Sequence, residues 1–367
     1  MAEERLASLD AFRGLTIAGM ILVNNPGSWE FIYPPLRHAD WHGWTPTDLV
    51  FPFFLFIVGI SLSLSLSKRK SRGSGGLQLY GNIFRRALVL FMVGLLLNLI
   101  PTFNFHSVRI PGVLQRIAVC YLVAALLFLK ASTKTRILIA SGVLATYWLI
   151  LTFIPVPGVG AGILTLEGNL CAHIDTRLLA GHLYTPGFDP EGILSTFPAL
   201  ATTLIGTLCG DWLRRSQRSA LKITGFLVSG MGLVVIGQAL HAYFPINKQL
   251  WTSTYVLLTA GVAFIVMAIC YGFIDRLGFK KWALPFLVFG GNAITVFIGS
   301  SLLARIMLSI EIPFNGSTQP LKALLYERIL SPGFGDYLGS LLFPVILLFI
   351  WFLLMFPLYR RNIHIKI

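Results

Sequence analysis

The loop that follows the first apolar segment carries side chains that could transfer protons. Asn24 stands just before the helix-breaking Pro26-Gly27, and His38, His42 and Asp48 come before the next apolar segment. Histidine gains and loses a proton near neutral pH, which makes His38 a candidate general base. The tryptophans of this loop also fit an aromatic belt at a membrane interface, but a belt does not account for the histidine.

A metal ion is the alternative explanation for the two histidines. His38 and His42 are four residues apart and would share one face if the segment were helical. Gly43 and Pro46 argue against a regular helix, and no third ligand follows at a spacing typical of metal sites. We therefore expect no bound metal.

Two arginines bracket the start of the fourth apolar segment. Arginine keeps its charge, so Arg116, one turn into the hydrocarbon, requires a partner inside the protein. The candidate partners are Asp48, Asp189 and Glu191. A structural ion pair and a substrate contact explain Arg116 equally well. Arg109 lies nearer the outer end of the segment, and this position favours a functional role. Asp189 and Glu191 also suit the start of a helix, where carboxylates interact well with the helix dipole.

Two polar positions at predicted membrane depth complete the candidate set. Trp251 is followed by four hydroxyl-bearing residues, Thr252 to Tyr255, and Asn292 follows a pair of glycines. In hydrocarbon, each polar group of this kind needs a hydrogen-bond partner. We include Trp251 and Asn292 among the residues that bind substrate or support its site, with helix packing through small residues as the alternative.

The composition indicates the class of protein that must position these side chains. Of the 367 residues, 55% are hydrophobic and 12% are charged, whereas soluble chains contain about 25% charged residues. This composition excludes a disordered chain, a disulfide scaffold and an aqueous nucleic-acid binder, despite the net charge of +14. We predict an all-α, polytopic integral membrane protein surrounded by the lipid bilayer.

Ten apolar segments are long enough to cross the bilayer as helices, which takes roughly 20 residues each. They lie at about 9–25, 46–67, 82–100, 112–130, 136–155, 192–212, 221–243, 252–274, 283–308 and 337–358. The chain shows no internal repeat and no linker that would divide it. Residues 1–367 are therefore treated as a single transmembrane domain.

The basic residues divide unevenly between the two sets of connecting segments. Of the 29 Lys and Arg residues, 21 lie at the two termini and in segments 68–86, 130–136, 214–222 and 276–281. The positive-inside rule therefore places both termini in the cytoplasm. Six of the seven histidines lie in or beside the opposite set of segments. We expect the chemistry at that outer face.

Several blocks of the sequence resemble a known family of membrane enzymes. They are Arg5 to Gly14, His38 to Gly43, Asp48 to Pro52, Val108 to Arg116, Asp189 to Gly192 and Asn247 to Trp251. In this order, over nearly the whole chain, they resemble the catalytic domain of lysosomal heparan-alpha-glucosaminide N-acetyltransferase and its bacterial relatives.

The resemblance implies a transmembrane acetyltransferase. Acetyl-CoA from the cytoplasm would acetylate the amine of a glucosamine-type sugar, or of a saccharide with a terminal glucosamine, on the periplasmic or lumenal side. The essential histidine of the family falls on His38. Its helpful asparagine falls on Asn24, although the stretch between these two positions looks a few residues longer here and Asn25 is adjacent. The resemblance also implies a homodimer.

The start of the chain is used to predict the membrane in which the protein is located. It lacks the lumenal region and first helix that precede this domain in the lysosomal enzyme, so we expect a bacterial inner-membrane protein whose site opens to the periplasm. We assign no residue to CoA, because positive-inside bias alone would produce the basic cytoplasmic cluster.

A sugar or amino-sugar transporter is the alternative from another functional class. Ten helices with polar groups at membrane depth also describe a carrier. The missing repeat argues against it, as does the gathering of polar groups at one face rather than at the midplane.

Overall fold

The computed structural model of the protein describes residues 6–71, 76–314 and 317–365. Its helices are α1 (Ala7–Asn24), α2 (Val50–Ser71), α3 (Leu77–Leu99), α4 (Val113–Lys130), α5 (Thr133–Phe153), α6 (Leu170–Leu178), α7 (Thr196–Arg214), α8 (Ser219–Ala239), α9 (Ser253–Cys270), α10 (Leu284–Gly291), α11 (Ala293–Ser309), α12 (Leu321–Leu325), α13 (Ser331–Phe334) and α14 (Asp336–Arg360). Strands β1 (Glu311–Phe314) and β2 (Ser317–Pro320) form an antiparallel pair. The prediction of an all-α polytopic membrane protein is confirmed.

Each of the ten predicted segments contains a helix, with the boundaries shifted by a few residues. The ninth segment differs most, because it breaks at Asn292 into α10 and α11, which are bent by 85° relative to each other. Within the described ranges, seven helices are long and apolar enough to cross a membrane, or eight if the bent pair counts as one span. Helices α1 and α7 fall outside this set. The number of crossings and the side of the termini stay predictions.

Helix α7 lies inside the bundle and carries several buried polar side chains. Thr202, Thr203 and Thr207 are buried there and donate to carbonyls of their own helix, so their hydroxyls need no water. A Cβ added at Gly206 would lie 2.1 Å from the carbonyl oxygen of Phe56. Close backbone contact of this kind, made possible by small residues, joins α7 to α2.

Helices α1 and α10 make a second close contact. A Cβ at Gly14 would lie 1.8 Å from the carbonyl oxygen of Phe286, and a Cβ at Gly290 would lie 1.8 Å from that of Asp10. The two helices therefore touch backbone to backbone and run in opposite directions. Arg13 strengthens the contact by donating to the carbonyl of Gly290 at 3.3 Å.

Candidate active site

The loop between α1 and α2 brings His38 to a buried carboxylate. Nδ1 of His38 lies 2.6 Å from Oδ1 of Asp48, whose side chain is 1% exposed, while the His38 side chain remains 37% exposed. Oδ2 of Asp48 accepts from the backbone N–H groups of Ala39 at 3.1 Å and Thr45 at 3.0 Å. With both oxygens engaged, Asp48 favours the histidine tautomer that carries its proton on Nδ1 and has a lone pair on Nε2.

Two hydrogen bonds to residues distant in sequence anchor this loop to the helical bundle. The Tyr255 hydroxyl, on α9, donates to the carbonyl oxygen of Asp48 at 2.5 Å. The N–H of Gly43 donates to the carbonyl of Ile246 at 2.7 Å. Although the loop is irregular, its position is therefore fixed by two remote parts of the chain.

Lys248 approaches the same histidine from the segment before α9. Its Nζ lies 2.9 Å from Nδ1 of His38, 3.3 Å from Nε2 and 3.3 Å from Oδ1 of Asp48. Burial lowers the pKa of Lys248, and the negative charges of Asp48 and Glu191 oppose that shift. Sequence reasoning did not name Lys248 as a site residue. The available signal was that few lysines occur in the predicted outer segments, and Lys248 is one of them.

Asn24 and His38 line one cavity of about 580 Å³. The Asn24 side chain is exposed to this space at the end of α1. Asn25, in contrast, is buried, and its Nδ2 donates back to the carbonyl of Ile21 at 2.9 Å. The structure therefore presents Asn24, and not its neighbour, to the cavity.

Arg109 lies on the same cavity and is paired with two carboxylates. Its Nε and Nη2 donate to Asp189 at 2.8 and 2.7 Å, and Nη2 also donates to Glu191. Burial alone would lower the pKa of Arg109, but the hydrogen bonds and charges of these carboxylates raise it above its ordinary value. The guanidinium also lies over the Tyr184 ring, 4.7 Å from its centroid. Of this group, Glu191 lines the cavity with Arg109, whereas Asp189 lies behind them.

Arg116 has other partners than those predicted. Its Nη2 donates to the carbonyls of Pro190 at 2.9 Å and Gly192 at 3.3 Å, and to the Ser195 hydroxyl at 2.5 Å. Among the described residues, none of the three candidate carboxylates forms an ion pair with it. The reason is that Arg109 takes two of these carboxylates and His38 the third. Arg116 is buried and does not line the cavity, so it fixes the segment that carries Asp189 and Glu191.

Comparison with known proteins identifies the family of this chain. Residues 5–248 match the family described as heparan-alpha-glucosaminide N-acetyltransferase, catalytic. The chain belongs to this family. The heparan-alpha-glucosaminide N-acetyltransferases of Homo sapiens and Mus musculus are each 30% identical to it over 426 residues, an alignment that covers 99% of this chain. The chain spans 60% of the length of these two relatives. The resemblance on which the predictions rested is therefore confirmed.

The family match covers His38, the residues that contact it and two further residues of the cavity wall. Asn24, His38, Asp48, Arg109 and Lys248 all fall within it. They come from segments that the charge distribution predicts to face outward, and the structure brings these segments together at one end of the bundle.

Trp251 lies beyond the matched residues and behind the cavity wall. It is buried, its Nε1 donates to Thr202 Oγ1 at 3.2 Å, and its ring packs edge-on against Phe51, which lines the cavity. The Arg116 guanidinium lies 5.0 Å from the centroid of the Trp251 ring. Trp251 thus supports the cavity wall without reaching the space inside.

Asn292 is placed with the C-terminal residues instead. Its Nδ2 donates to the carbonyl of Ile363 at 3.0 Å, and its Oδ1 accepts from the N–H of Ile365 at 2.8 Å. It does not line the cavity. The amide joins the α10–α11 break to the chain that follows α14.

His42 is engaged by a neighbour other than a metal. Its Nδ1 lies 3.3 Å from Nδ2 of Asn247, and its ring meets that of Trp41 edge-on. In the part of the chain that the structure describes, no three His, Cys, Asp or Glu side chains gather where they could hold a metal ion.

Proposed function

We propose that this protein is an integral membrane acetyltransferase that moves the acetyl group of acetyl-CoA to the amine of a glucosamine-type sugar. The observation that carries the proposal is that Asn24 and a carboxylate-oriented His38 line one cavity. Membership of the N-acetyltransferase family supports the type of reaction. The chain then acts as one transmembrane domain, in which the outer loops supply the chemistry.

His38 is the proposed general base. An amine arrives largely as an ammonium ion, which has no lone pair with which to attack a thioester. The ammonium ion first releases one proton to solvent and becomes a neutral amine. With Nδ1 held by Asp48, Nε2 of His38 then accepts the second proton as the amine nitrogen bonds to the acetyl carbon. Lys248 lies beside both ring nitrogens and beside the carboxylate that orients the ring.

Asn24 is the proposed donor to the oxyanion. As the carbon–nitrogen bond forms, negative charge develops on the former carbonyl oxygen, where an aimed amide N–H stabilises it. When the intermediate collapses, the carbon–sulfur bond breaks and CoA leaves as a thiolate. The proton held by His38 then returns to that thiolate, so that the base is regenerated.

The charge distribution supports a sidedness for the proposed reaction. The basic segments favour a cytoplasmic location for the end of the bundle opposite to the cavity. The acetyl donor would then enter from the cytoplasm and the amine from the periplasm. A bacterial inner-membrane location and a homodimer remain parts of the proposal.

The test is acetyl transfer by purified protein in detergent. Glucosamine and acetyl-CoA are incubated with wild type and His38→Ala, and N-acetylated sugar is measured by mass spectrometry. We expect His38→Ala to lose turnover while keeping its melting temperature. His106→Ala is the control, because that exposed histidine does not line the cavity. Full turnover in His38→Ala would remove the histidine from the mechanism.

The transporter alternative is not favoured, since the relatives are N-acetyltransferases by name. It predicts uptake of labelled glucosamine into proteoliposomes in the absence of acetyl-CoA. We expect no such uptake above that of empty vesicles.

A further inference from the structure

Arg305 is a cavity residue that the proposed mechanism does not use. It lies near the end of α11 and lines the same cavity as His38 and Asn24. Its Nη1 donates to the carbonyl of Ile100 at 3.2 Å, and its Nη2 lies 3.4 Å from Oδ1 of Asn98. Both of these partners are neutral.

The other cations of the cavity wall are neutralised by carboxylates. Arg109 is paired with Asp189 and Glu191, and Lys248 is paired with Asp48. Throughout the ranges that the structure describes, no carboxylate lies within ion-pair distance of Arg305. Arg305 therefore has no local partner of opposite charge in the described part of the cavity wall, although the second carboxylate on Arg109 and the side chain of Asp40 bring negative charge to the same cavity.

The surroundings of Arg305 make its positive charge consequential. Leu97, Phe54 and Phe297 line the same cavity, so part of the wall is apolar. Where part of a cavity wall is apolar, water screens a charge less completely than in bulk solution, so an ion of opposite sign gains a stronger interaction. A guanidinium has five N–H donors in a planar fork, of which the two neutral contacts engage only two. The remaining donors suit a carboxylate, sulfate or phosphate group.

We propose that Arg305 forms a subsite for an anionic group on the acceptor. The acceptor would then be an acidic amino sugar, whose amine meets His38 while its acid group meets Arg305. This inference rests on the proposed function for the reacting amine. It goes beyond that function by naming the residue that selects the acceptor and the charge that it selects.

A structural role for Arg305 is the competing explanation. Ile100 directly follows the end of α3, where carbonyl oxygens lack partners within their helix and attract cations. An arginine at this position would cap α3 and need no ligand. Capping predicts a loss of stability on substitution, but it predicts no discrimination between neutral and acidic sugars.

The experiment compares binding of three sugars to the intact protein in detergent, without acetyl-CoA. Glucosamine is the probe without an acid group, whereas glucosamine 6-sulfate and muramic acid each carry an acid group, at different positions. Dissociation constants are measured by calorimetry for wild type, Arg305→Met and Arg305→Lys. Arg177→Met is the matched control, since Arg177 is exposed on α6 and does not line the cavity.

We expect wild type to bind at least one acidic sugar more tightly than glucosamine. Arg305→Met should weaken that binding about tenfold, as is typical for loss of a charge-assisted contact, while changing glucosamine binding less than twofold. Arg305→Lys should be intermediate, and Arg177→Met should match wild type. Turnover assays then separate the source of the anion, because a rise in KM for acetyl-CoA alone would assign Arg305 to the donor and overturn the proposal.

Two further results would also overturn it. They are equal weakening of neutral and acidic sugars, and a lower melting temperature with unchanged sugar binding, which would indicate helix capping only. Selective binding of acidic sugars without any acetyl transfer would instead contradict the proposed function and leave the subsite standing.

Discussion

Asp48→Asn tests whether the carboxylate sets the tautomer of the proposed base. The single oxygen of the new amide would stay with the backbone N–H groups of Ala39 and Thr45, because these groups can only donate hydrogen bonds. The amide NH2 would then point at Nδ1 of His38 and force the ring proton onto Nε2. The nitrogen that should accept the proton of the amine is thereby blocked.

The expected loss is in kcat. Removing the same orienting role from a Ser-His-Asp site costs about 10⁴ in kcat, so we expect a loss of roughly 10²- to 10⁴-fold, or about 3–5 kcal/mol of barrier. KM should change little, because Asp48 lies behind His38 and does not line the cavity. Steady-state rates of N-acetylglucosamine formation, measured beside thermal unfolding, provide both readouts.

A double variant separates the tautomer from the charge. Asp48→Asn also leaves Lys248 without its counter-charge. If that were the cause of the loss, Asp48→Asn combined with Lys248→Met would recover activity, whereas a wrong tautomer would leave it inactive. Glu30→Gln, an exposed carboxylate in the same loop, should behave as wild type. A folded Asp48→Asn protein with kcat within threefold of wild type would refute the reasoning.

Three further predictions concern stability, each read as a shift of thermal unfolding in detergent. Burial lowers the pKa of Lys322 to about 8, so its charged form destabilises the fold below that pH. Lys322→Met should therefore raise the free energy of unfolding by about 1–3 kcal/mol at pH 7. This gain should shrink as the pH rises towards 10. Burial raises the pKa of Asp175 to about 6, so its ionised form destabilises the fold above that pH. Asp175→Asn should therefore raise the free energy of unfolding by about 1–2 kcal/mol at pH 7 and change it little at pH 4. Gly206→Ala should cost about 1–3 kcal/mol or more, because its Cβ would meet the backbone of α2, whereas Gly142→Ala, with open space around it, should be neutral or stabilising. Unchanged unfolding in any of these three would contradict the corresponding account of burial or packing.

The sequence was sufficient to predict the helices because the bilayer imposes one simple rule on composition. An apolar run of about 20 residues has few structural options in lipid. The rule is weaker where helices shield one another, as the threonine-rich α7 illustrates. It also misses the sharp bend at Asn292, because a Gly-Gly-Asn run is equally compatible with close helix packing. The short α6 and the β1–β2 pair lie in connecting segments, where hydropathy carries no signal.

The site was predictable to the extent that its chemistry is local. His38 and Asp48 are ten residues apart, so the loop sequence alone brings an imidazole and a carboxylate together. Lys248 lies 210 residues from His38, and only the packing of α9 against the rest of the bundle reveals the contact. For the same reason, the partners of Arg116 were mistaken. The right segment was named, but the competition with Arg109 for its two carboxylates is invisible in one dimension.

Arg116 and Arg305 show why access to the cavity is the useful criterion in this bundle. Both are arginines at predicted membrane depth, and by residue type they are equivalent. Arg116 donates through Nη2 to two backbone carbonyls and a hydroxyl, lies over an indole ring and is closed off from the cavity. Its buried Nε and Nη1 have no hydrogen-bond partner among the described residues. Arg305 has two long contacts with neutral oxygens and an open side that faces the cavity. Neither arginine forms an ion pair with a described carboxylate, but only Arg305 lines the cavity, so Arg305 is the one for which a ligand should be sought.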